Sequence, residues 1–251
     1  MKNLTLGILG GLGPISSVWF YEMLTRHTKA DCDQKHLNIL LSSRADTPDR
    51  TAYITGKSDK NPIDTMISEV GKLVSAGAEL IAIPCNTAHN FYKAVAESTG
   101  VPVLNIIDLC AEYCKFIGAK KVGVLATEGT VLSGAYRNAL AAHGIKYITC
   151  DTKSQNTITH IIYDDIKRNR EPDVDAFLSV ADSLTASGAD RIILGCTELS
   201  LLKRDFRLGT RFVDSLEVLA LSAIRLCGKE PTGFDPELMK FIPSMEVELC
   251  S

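Results

Sequence analysis

Two cysteines stand at matching places in two matching stretches. Ala76-Gly-Ala-Glu-Leu-Ile-Ala-Ile-Pro-Cys85 recurs as Ser187-Gly-Ala-Asp-Arg-Ile-Ile-Leu-Gly-Cys196, and the same shift of 111 residues carries Gly77 onto Gly188 and Cys85 onto Cys196. Small hydrogen-bonding residues follow each thiol: Asn86 and Thr87 in one copy, Thr197 and Glu198 in the other. Three readings of such a pair compete. Both thiols can be inert, since cysteine is among the most buried residue types. They can form a redox pair, which needs the sulfurs about 2.05 Å apart. They can flank a substrate carbon and move a proton on and off it, which needs a reach of about 3–3.5 Å on each side. A redox thiol needs only its partner, whereas a proton-transfer thiol needs a bound substrate. Asn86, Thr87 and Thr197 supply neutral donors and acceptors for one, which favours the two-base reading.

The elements that must hold these thiols follow from the pattern. Leu80–Ile83 is too short for a helix, is rich in Ile and follows a glycine turn, so it predicts a buried parallel strand. Cys85 then falls where the strand ends, with Asn86 or Thr87 able to cap a following helix. Ligands of open α/β sheets bind outside the carboxyl ends of the strands, and a thiol near a helix N-terminus has its thiolate favoured by the dipole. A second self-similarity has an offset of 116: Leu6-Gly-Ile-Leu-Gly-Gly-Leu-Gly-Pro14 against Val122-Gly-Val-Leu-Ala-Thr-Glu-Gly-Thr130, continuing with Phe20 against Tyr136. Both halves therefore run strand, glycine-containing loop, helix, and later strand, cysteine, helix. The expected fold is α/β: two similar units, each a parallel sheet flanked by helices, facing each other across a pseudo-twofold axis with the site between them. The first unit comprises residues 1–107 and 215–251 and carries Cys85; the second comprises 108–214 and carries Cys196.

Length and composition set the bounds. The chain of 251 residues is 45% hydrophobic and 23% charged, ordinary for a globular protein that needs no staples. A net charge of −3 without a basic, aromatic-interleaved cluster gives no reason to expect nucleic acid or an acidic membrane surface. None of the eight cysteines forms a C-x-x-C pair and no His/Cys cluster has zinc spacing, so no metal is expected. The uncharged run from Asn3 to Phe20 is broken by Gly7, Gly10, Gly11, Gly13 and Pro14, which is poor for a signal peptide. No stretch is long enough to span a bilayer. A cytoplasmic location is expected.

Along the chain, Leu4–Leu9 predicts a strand, Gly10–Pro14 a tight loop and 15–28 a helix. The loop lacks the G-x-G-x-x-G spacing of a dinucleotide site. Its expected role is to let the backbone, at Gly11 and Leu12, approach a small anionic ligand at a helix start. Leu37–Ser42 predicts a strand, and 43–61 a polar loop over the strand ends, where binding residues concentrate. Arg50 in that loop can hold a carboxylate bidentately. Helices are expected at 62–76, from Cys85 to 98, at 108–116, 133–143, 157–168, 174–185 and 216–227, with strands at 101–105, 121–126, 146–150 and 211–213. The residues beyond Pro231 carry no signal.

Gly10-Gly-Leu-Gly-Pro14, Pro48-Asp-Arg-Thr51, Pro84-Cys-Asn-Thr-Ala-His89, Ala126-Thr-Glu-Gly-Thr130, Ile166-Lys167 and Gly195-Cys-Thr-Glu-Leu199 together resemble the aspartate/glutamate racemase family, and within it the cofactor-independent aspartate racemases. The resemblance covers essentially the whole chain. It implies interconversion of L- and D-aspartate without pyridoxal phosphate or any other cofactor, one thiolate taking the α-proton while the opposite thiol delivers one. It implies Cys85 and Cys196 as the acid/base pair; Asn86, Thr87, Thr130 and Thr197 holding the α-amino and α-carboxylate groups; and Arg50 and Lys167 holding a carboxylate. His89 and Glu198 would set thiol protonation. A homodimer and a small dicarboxylic amino acid as partner are implied as well. Glutamate, a broader range of substrates, or a non-catalytic dicarboxylate-binding role are the alternatives. Departures are small: Leu12 stands where the family commonly has Met, Ile15-Ser16-Ser17 differs from the usual small residues with a Thr, and Arg44 before Pro48 is an extra charge.

Overall fold

The computed structural model of the chain describes residues 3–244. Cys250 lies outside the described residues. The strands are β1 Leu6–Gly10, β2 Ile39–Ser43, β3 Leu80–Ala82, β4 Lys121–Ala126, β5 Lys146–Thr149, β6 Arg191–Gly195 and β7 Phe212–Asp214. The α-helices are α1 Pro14–Arg26, α2 Arg50–Ile54, α3 Ile63–Ser75, α4 Tyr92–Glu97, α5 Ile106–Phe116, α6 Glu128–Ser133, α7 Ala135–Ala142, α8 Thr152–His160, α9 Val174–Ala186, α10 Thr197–Phe206 and α11 Ser215–Leu226. They build two parallel sheets flanked by helices, in strand orders β2-β1-β3 and β5-β4-β6-β7. The central strand of each sheet registers on both neighbours: Leu6 faces Ile39 and Leu80, and Val124 faces Thr149 and Ile193. No helix among the described residues is long and apolar enough to cross a membrane.

The two sheets share one core. Leu6, Ile8 and Leu80 of the first join Val122, Val124 and Ile193 of the second, through α5 and α11, in one cluster of buried side chains. The two helices enter in the same way. Asn105 caps α5, its side chain accepting from the N–H groups of Ile107 and Asp108, and Asp214 caps α11 by accepting from Leu216. Such caps satisfy N–H groups that a helix start leaves without partners.

Four sequence expectations change. The strand expected at 101–105 is a single bridge between Val103 and Ile81, with the Ile81 N–H donating to Pro102 and the Leu104 N–H donating to Ile81. Pro102 has no N–H to extend the ladder, and Asn105 already opens α5. The polar loop at 43–61 contains α2, nucleated by the Asp49 side chain accepting from the Ala52 N–H at 2.7 Å. The helix expected over 133–143 is α6 and α7, broken at Gly134, whose φ of +68° is left-handed. The helix expected at 157–168 is α8 followed by a wide turn at Ile161–Asp165 and a tight one at Ile166–Arg168.

Candidate active site

Four of the strands end at one place, and the carboxyl ends of β1, β3, β4 and β6 lead directly into Leu12, Cys85, Thr127 and Cys196. These four residues line one pocket with Asp49, Arg50, Thr51, Asn86, Thr87, Tyr163, Lys167, Thr197 and Glu198. The pocket is closed, with about 10 Å³ of free volume, roughly the least that can hold a water. Cys85 is 6% exposed and Cys196 5%; both are free thiols. A second, open cavity of about 470 Å³ adjoins it and shares Asp49, Arg50, Lys167 and Glu198, with Gly11, Gly13, Ala45 and Asn169 on its outer wall.

The residues that follow Cys85 make neutral contacts. The chain leaves β3 through a 3₁₀ turn at Thr87–Phe91 rather than the expected regular helix, and Asn86 starts that turn without a side-chain cap. Its amide is instead held from across the pocket: the Tyr136 hydroxyl donates to Asn86 Oδ1 at 2.6 Å, and Asn86 Nδ2 donates to Ser215 Oγ at 2.9 Å. The Thr87 hydroxyl meets those of Thr127 and Thr130, each at 2.9 Å, and the last two are 3.1 Å apart. His89 does not touch the thiol. Its Nδ1 lies 2.8 Å from the Cys85 carbonyl, and its Nε2 lies 3.2 Å from both the Leu104 carbonyl and the Ile106 N–H. Burial lowers the His89 pKa and so favours the neutral imidazole. His89 holds the backbone that carries Cys85, one step behind the thiol.

Around Cys196 the contacts are charged. Cys196 is the N-cap of α10, and its thiol donates to Glu198 Oε2 at 3.0 Å. Burial, then the Glu198 carboxylate, push the Cys196 pKa well above the ordinary thiol value. The other oxygen, Glu198 Oε1, is buried without a hydrogen bond, and Lys167 Nζ lies 3.6 Å from it. Burial works against the Lys167 ammonium, but Glu198, Cys196, Tyr163 and Cys85 outweigh it and raise its pKa. The wide turn before Ile166 brings Tyr163 under Lys167, with Nζ 4.6 Å above the ring, a favourable cation–π placement. Wide turns of this kind are frequent at functional sites. Burial raises the Tyr163 phenol to about 12, so it stays protonated at neutral pH.

Arg50 opens α2 and is 7% exposed. Its Nη2 donates to the Leu12 carbonyl at 2.7 Å and its Nη1 to Pro48 and Thr47 at 3.1 and 3.3 Å, while the buried Nε has no partner. Of five N–H donors two remain, Nε among them, which is what a bidentate carboxylate needs. Arg44 faces away from this arrangement, pairing with Asp46 and, at 3.6 Å, with Glu69.

The glycine loop also makes room for the chain's own groups. A Cβ on Gly11, whose φ is +82°, would lie 2.4 Å from the Arg44 backbone nitrogen, and one on Gly13 would lie 2.5 Å from Glu198 Oε1. Gly11 and Gly13 line the outer cavity. Leu12 does line the pocket. Thr130 sits behind Thr127, which takes the lining position expected of Thr130. Cys85, Cys196, Arg50, Asn86, Thr87, Lys167, Thr197 and Glu198 are brought together as expected. Thr127, Tyr163, Asp49 and Thr51 are lining residues the sequence reading missed; Thr127 and Thr51 stand inside quoted motifs, while nothing local distinguishes Tyr163.

The model of the Asp/Glu/Hydantoin racemase family matches residues 9–223. The broad specificity amino-acid racemase RacX of Bacillus subtilis is 29% identical over 233 residues, 87% of this chain and 96% of that protein. A glutamate racemase of Corynebacterium glutamicum is 29% identical over 178 residues, covering 66% of this chain and 62% of its own. Among solved structures, Picrophilus torridus aspartate racemase superimposes with a TM-score of 0.79 at 30% identity, covering 91% of this chain and 96% of that one. This chain belongs to the Asp/Glu/hydantoin racemase family.

Proposed function

We propose that the chain is a cofactor-independent racemase of acidic amino acids that acts on aspartate, with Cys85 and Cys196 as the acid/base pair on opposite faces of Cα. The observation that carries this reading is the convergence of two thiols, from two different sheets, on one closed pocket whose walls include two cationic side chains, Arg50 and Lys167, and a set of neutral donors, with Asp49 and Glu198 as its carboxylates. One thiolate removes the α-proton and becomes a thiol, the electron pair stays on the substrate as a carbanion, and the opposite thiol gives its proton to the other face and becomes a thiolate. Asn86, Thr87, Thr127 and Thr197 hold the α-amino and α-carboxylate groups. The spare donors of Arg50 and the Lys167 ammonium hold the side-chain carboxylate.

Magnitudes say where the rate must come from. A free thiol with pKa about 8.5 is a few per cent thiolate at neutral pH, so full ionisation gains about 2 kcal/mol at most. The rest has to come from a dry site, positioning, and preorganised donors facing the developing charge. The small free volume fits a dry site, and it also requires the pocket to open for substrate. The units, divided at 107/108 and 214/215, are proposed to separate for that step. The outer cavity beyond Arg50 and Lys167 leaves space for a longer side chain, which makes glutamate the second substrate to test. A homodimer is part of the same proposal, and light scattering tests it.

The decisive experiment follows circular dichroism and deuterium incorporation at Cα in D2O, with L- and D-aspartate and L- and D-glutamate. The expected result is racemisation with deuterium uptake by the unaltered protein, lowered by about 10²- to 10⁴-fold in Cys85→Ala and in Cys196→Ala. Binding of aspartate with neither exchange nor racemisation would turn the reading into that of a dicarboxylate binder.

A further inference from the structure

Tyr136 touches both cysteine motifs at once. Its ring lies against Gly195, the residue before Cys196: a Cβ there would come within 3.1 Å of Tyr136 Cε2. Its hydroxyl reaches Asn86, the residue after Cys85. The ring is 2% exposed. Burial, then the neighbouring Cys110, push the Tyr136 phenol well above its ordinary pKa, and Cys110 is raised in the same way. Both groups keep their protons.

Hydrogen-bond directions along this line are forced. Ser215 Oγ lies 2.7 Å from the Leu194 carbonyl, which can only accept, so the Ser215 proton is committed there. Ser215 Oγ must then accept from Asn86, which identifies the atom facing it as Nδ2. Oδ1 is left facing the Tyr136 hydroxyl, which donates. An Asn amide has two N–H groups and one carbonyl. With Oδ1 engaged by Tyr136 and one N–H by Ser215, the second N–H is the one donor of the amide left free, and Asn86 lines the closed pocket.

We infer that Tyr136, together with Ser215, is a positioning residue that locks the Asn86 amide so that its one free N–H is presented to the substrate beside Cys85. This rests on the racemase reading for what that N–H binds, but the lock itself is a property of the folded chain. Phe20, the counterpart of Tyr136 in the first self-similar stretch, has no hydroxyl, and Thr197, the counterpart of Asn86, has no amide to orient. The lock belongs to one half only.

The test is a double-mutant cycle with a spectroscopic readout. Tyr136→Phe keeps the ring and removes the donor; Asn86→Ala removes what it orients. The expected result is an approximately tenfold fall in kcat/KM for Tyr136→Phe, a fall at least as large for Asn86→Ala, and no further fall in the double variant. In parallel, the ¹⁵N-labelled Asn86 side-chain amide is followed by NMR. Its protons should exchange slowly with solvent in the unaltered protein and markedly faster in Tyr136→Phe, with the backbone amides of β3 and β6 unmoved. If Tyr136→Phe does not fold, Ser215→Ala opens the same lock from the other side and carries the same expectation. Multiplicative losses in the cycle, or side-chain amide exchange unchanged by either substitution, would overturn the inference. The NMR arm needs no turnover, so a protein that proves inactive on every amino acid refutes the racemase reading without deciding the lock.

Discussion

The side chains that follow Cys85 in the chain are neutral, whereas the one that meets the Cys196 thiol is a carboxylate. Cys85 is followed by an amide and a hydroxyl fixed from the far side of the pocket, and the one titratable neighbour on its own turn, His89, is held neutral and occupied with backbone. Cys196 donates a hydrogen bond from its thiol to a carboxylate, which in turn faces a lysine. The order of strand, thiol and helical turn is duplicated, but the turn itself and its charges are not. An internal duplication can thus keep the placement of two thiols while letting each side differ in its surroundings. In a two-base reaction the thiols need opposite protonation states at any moment. The carboxylate beside Cys196 biases that one towards the thiol.

Glu198→Gln is the strongest way to break that difference. Without the anion, Cys196 loses the second of the two causes that raise its pKa, so its ionisation moves to lower pH. Activity should fall by about 10²-fold. The pH profile of Cys196 alkylation, located by mass spectrometry, should shift downward. Gly13→Ala tests the same carboxylate by space alone, because the backbone there is extended (φ −176°) and open to any residue. A methyl 2.5 Å from Oε1 must displace it, and about a tenfold loss is expected, with the alkylation profile of Cys196 moving in the same direction as in Glu198→Gln.

His89→Asn sharpens the neutral side. Burial lowers the His89 pKa below its unfolded value of about 6.5, so the unfolded chain binds the proton more readily. Its contribution to stability is full above about pH 6.5 and is lost as pH falls through the window towards the folded pKa. Denaturant unfolding should show a dependence of up to about 1.4 kcal/mol per pH unit from this group, absent in the variant. The smallest effect is expected for Lys57→Ala. Lys57 pairs with Glu128 at 2.9 Å, joining the loop that carries α2 to α6, but both side chains are largely exposed. Its removal should change stability by less than about 0.5 kcal/mol. A larger change would mean that the contact between α2 and α6 governs closure of the pocket.

Much of this site was legible in the chain because its residues follow strand ends directly. A short apolar run between a glycine turn and a thiol specifies a buried strand locally, and repetition of that pattern specifies a second one. Asp49 and Asn105, caps of helices, act over two or three residues and are equally local. The parts that were not legible depend on distant partners. The approach of Lys167 to Glu198 depends on the wide turn at Ile161–Asp165, and the closeness of Gly11 and Gly13 to Arg44 and Glu198 on how the loops pack. The strand at 101–105 fails because Pro102 cannot continue a ladder, and α2 is too short for periodicity to reveal.

The sequence by itself determined two duplicated α/β patterns, the two thiols at their strand ends and the small polar residues beside them, because strand, turn and cap preferences act over a few neighbouring residues. Only the tertiary structure decided that the two halves are chemically different. Glu198 governs Cys196 through a contact two residues away whose direction no periodicity fixes, and Tyr136 reaches Asn86 across 50 positions of chain. Hydrogen bonding and desolvation depend on which atoms face each other once the two sheets have closed on a common core, and that is settled by packing, not by local order.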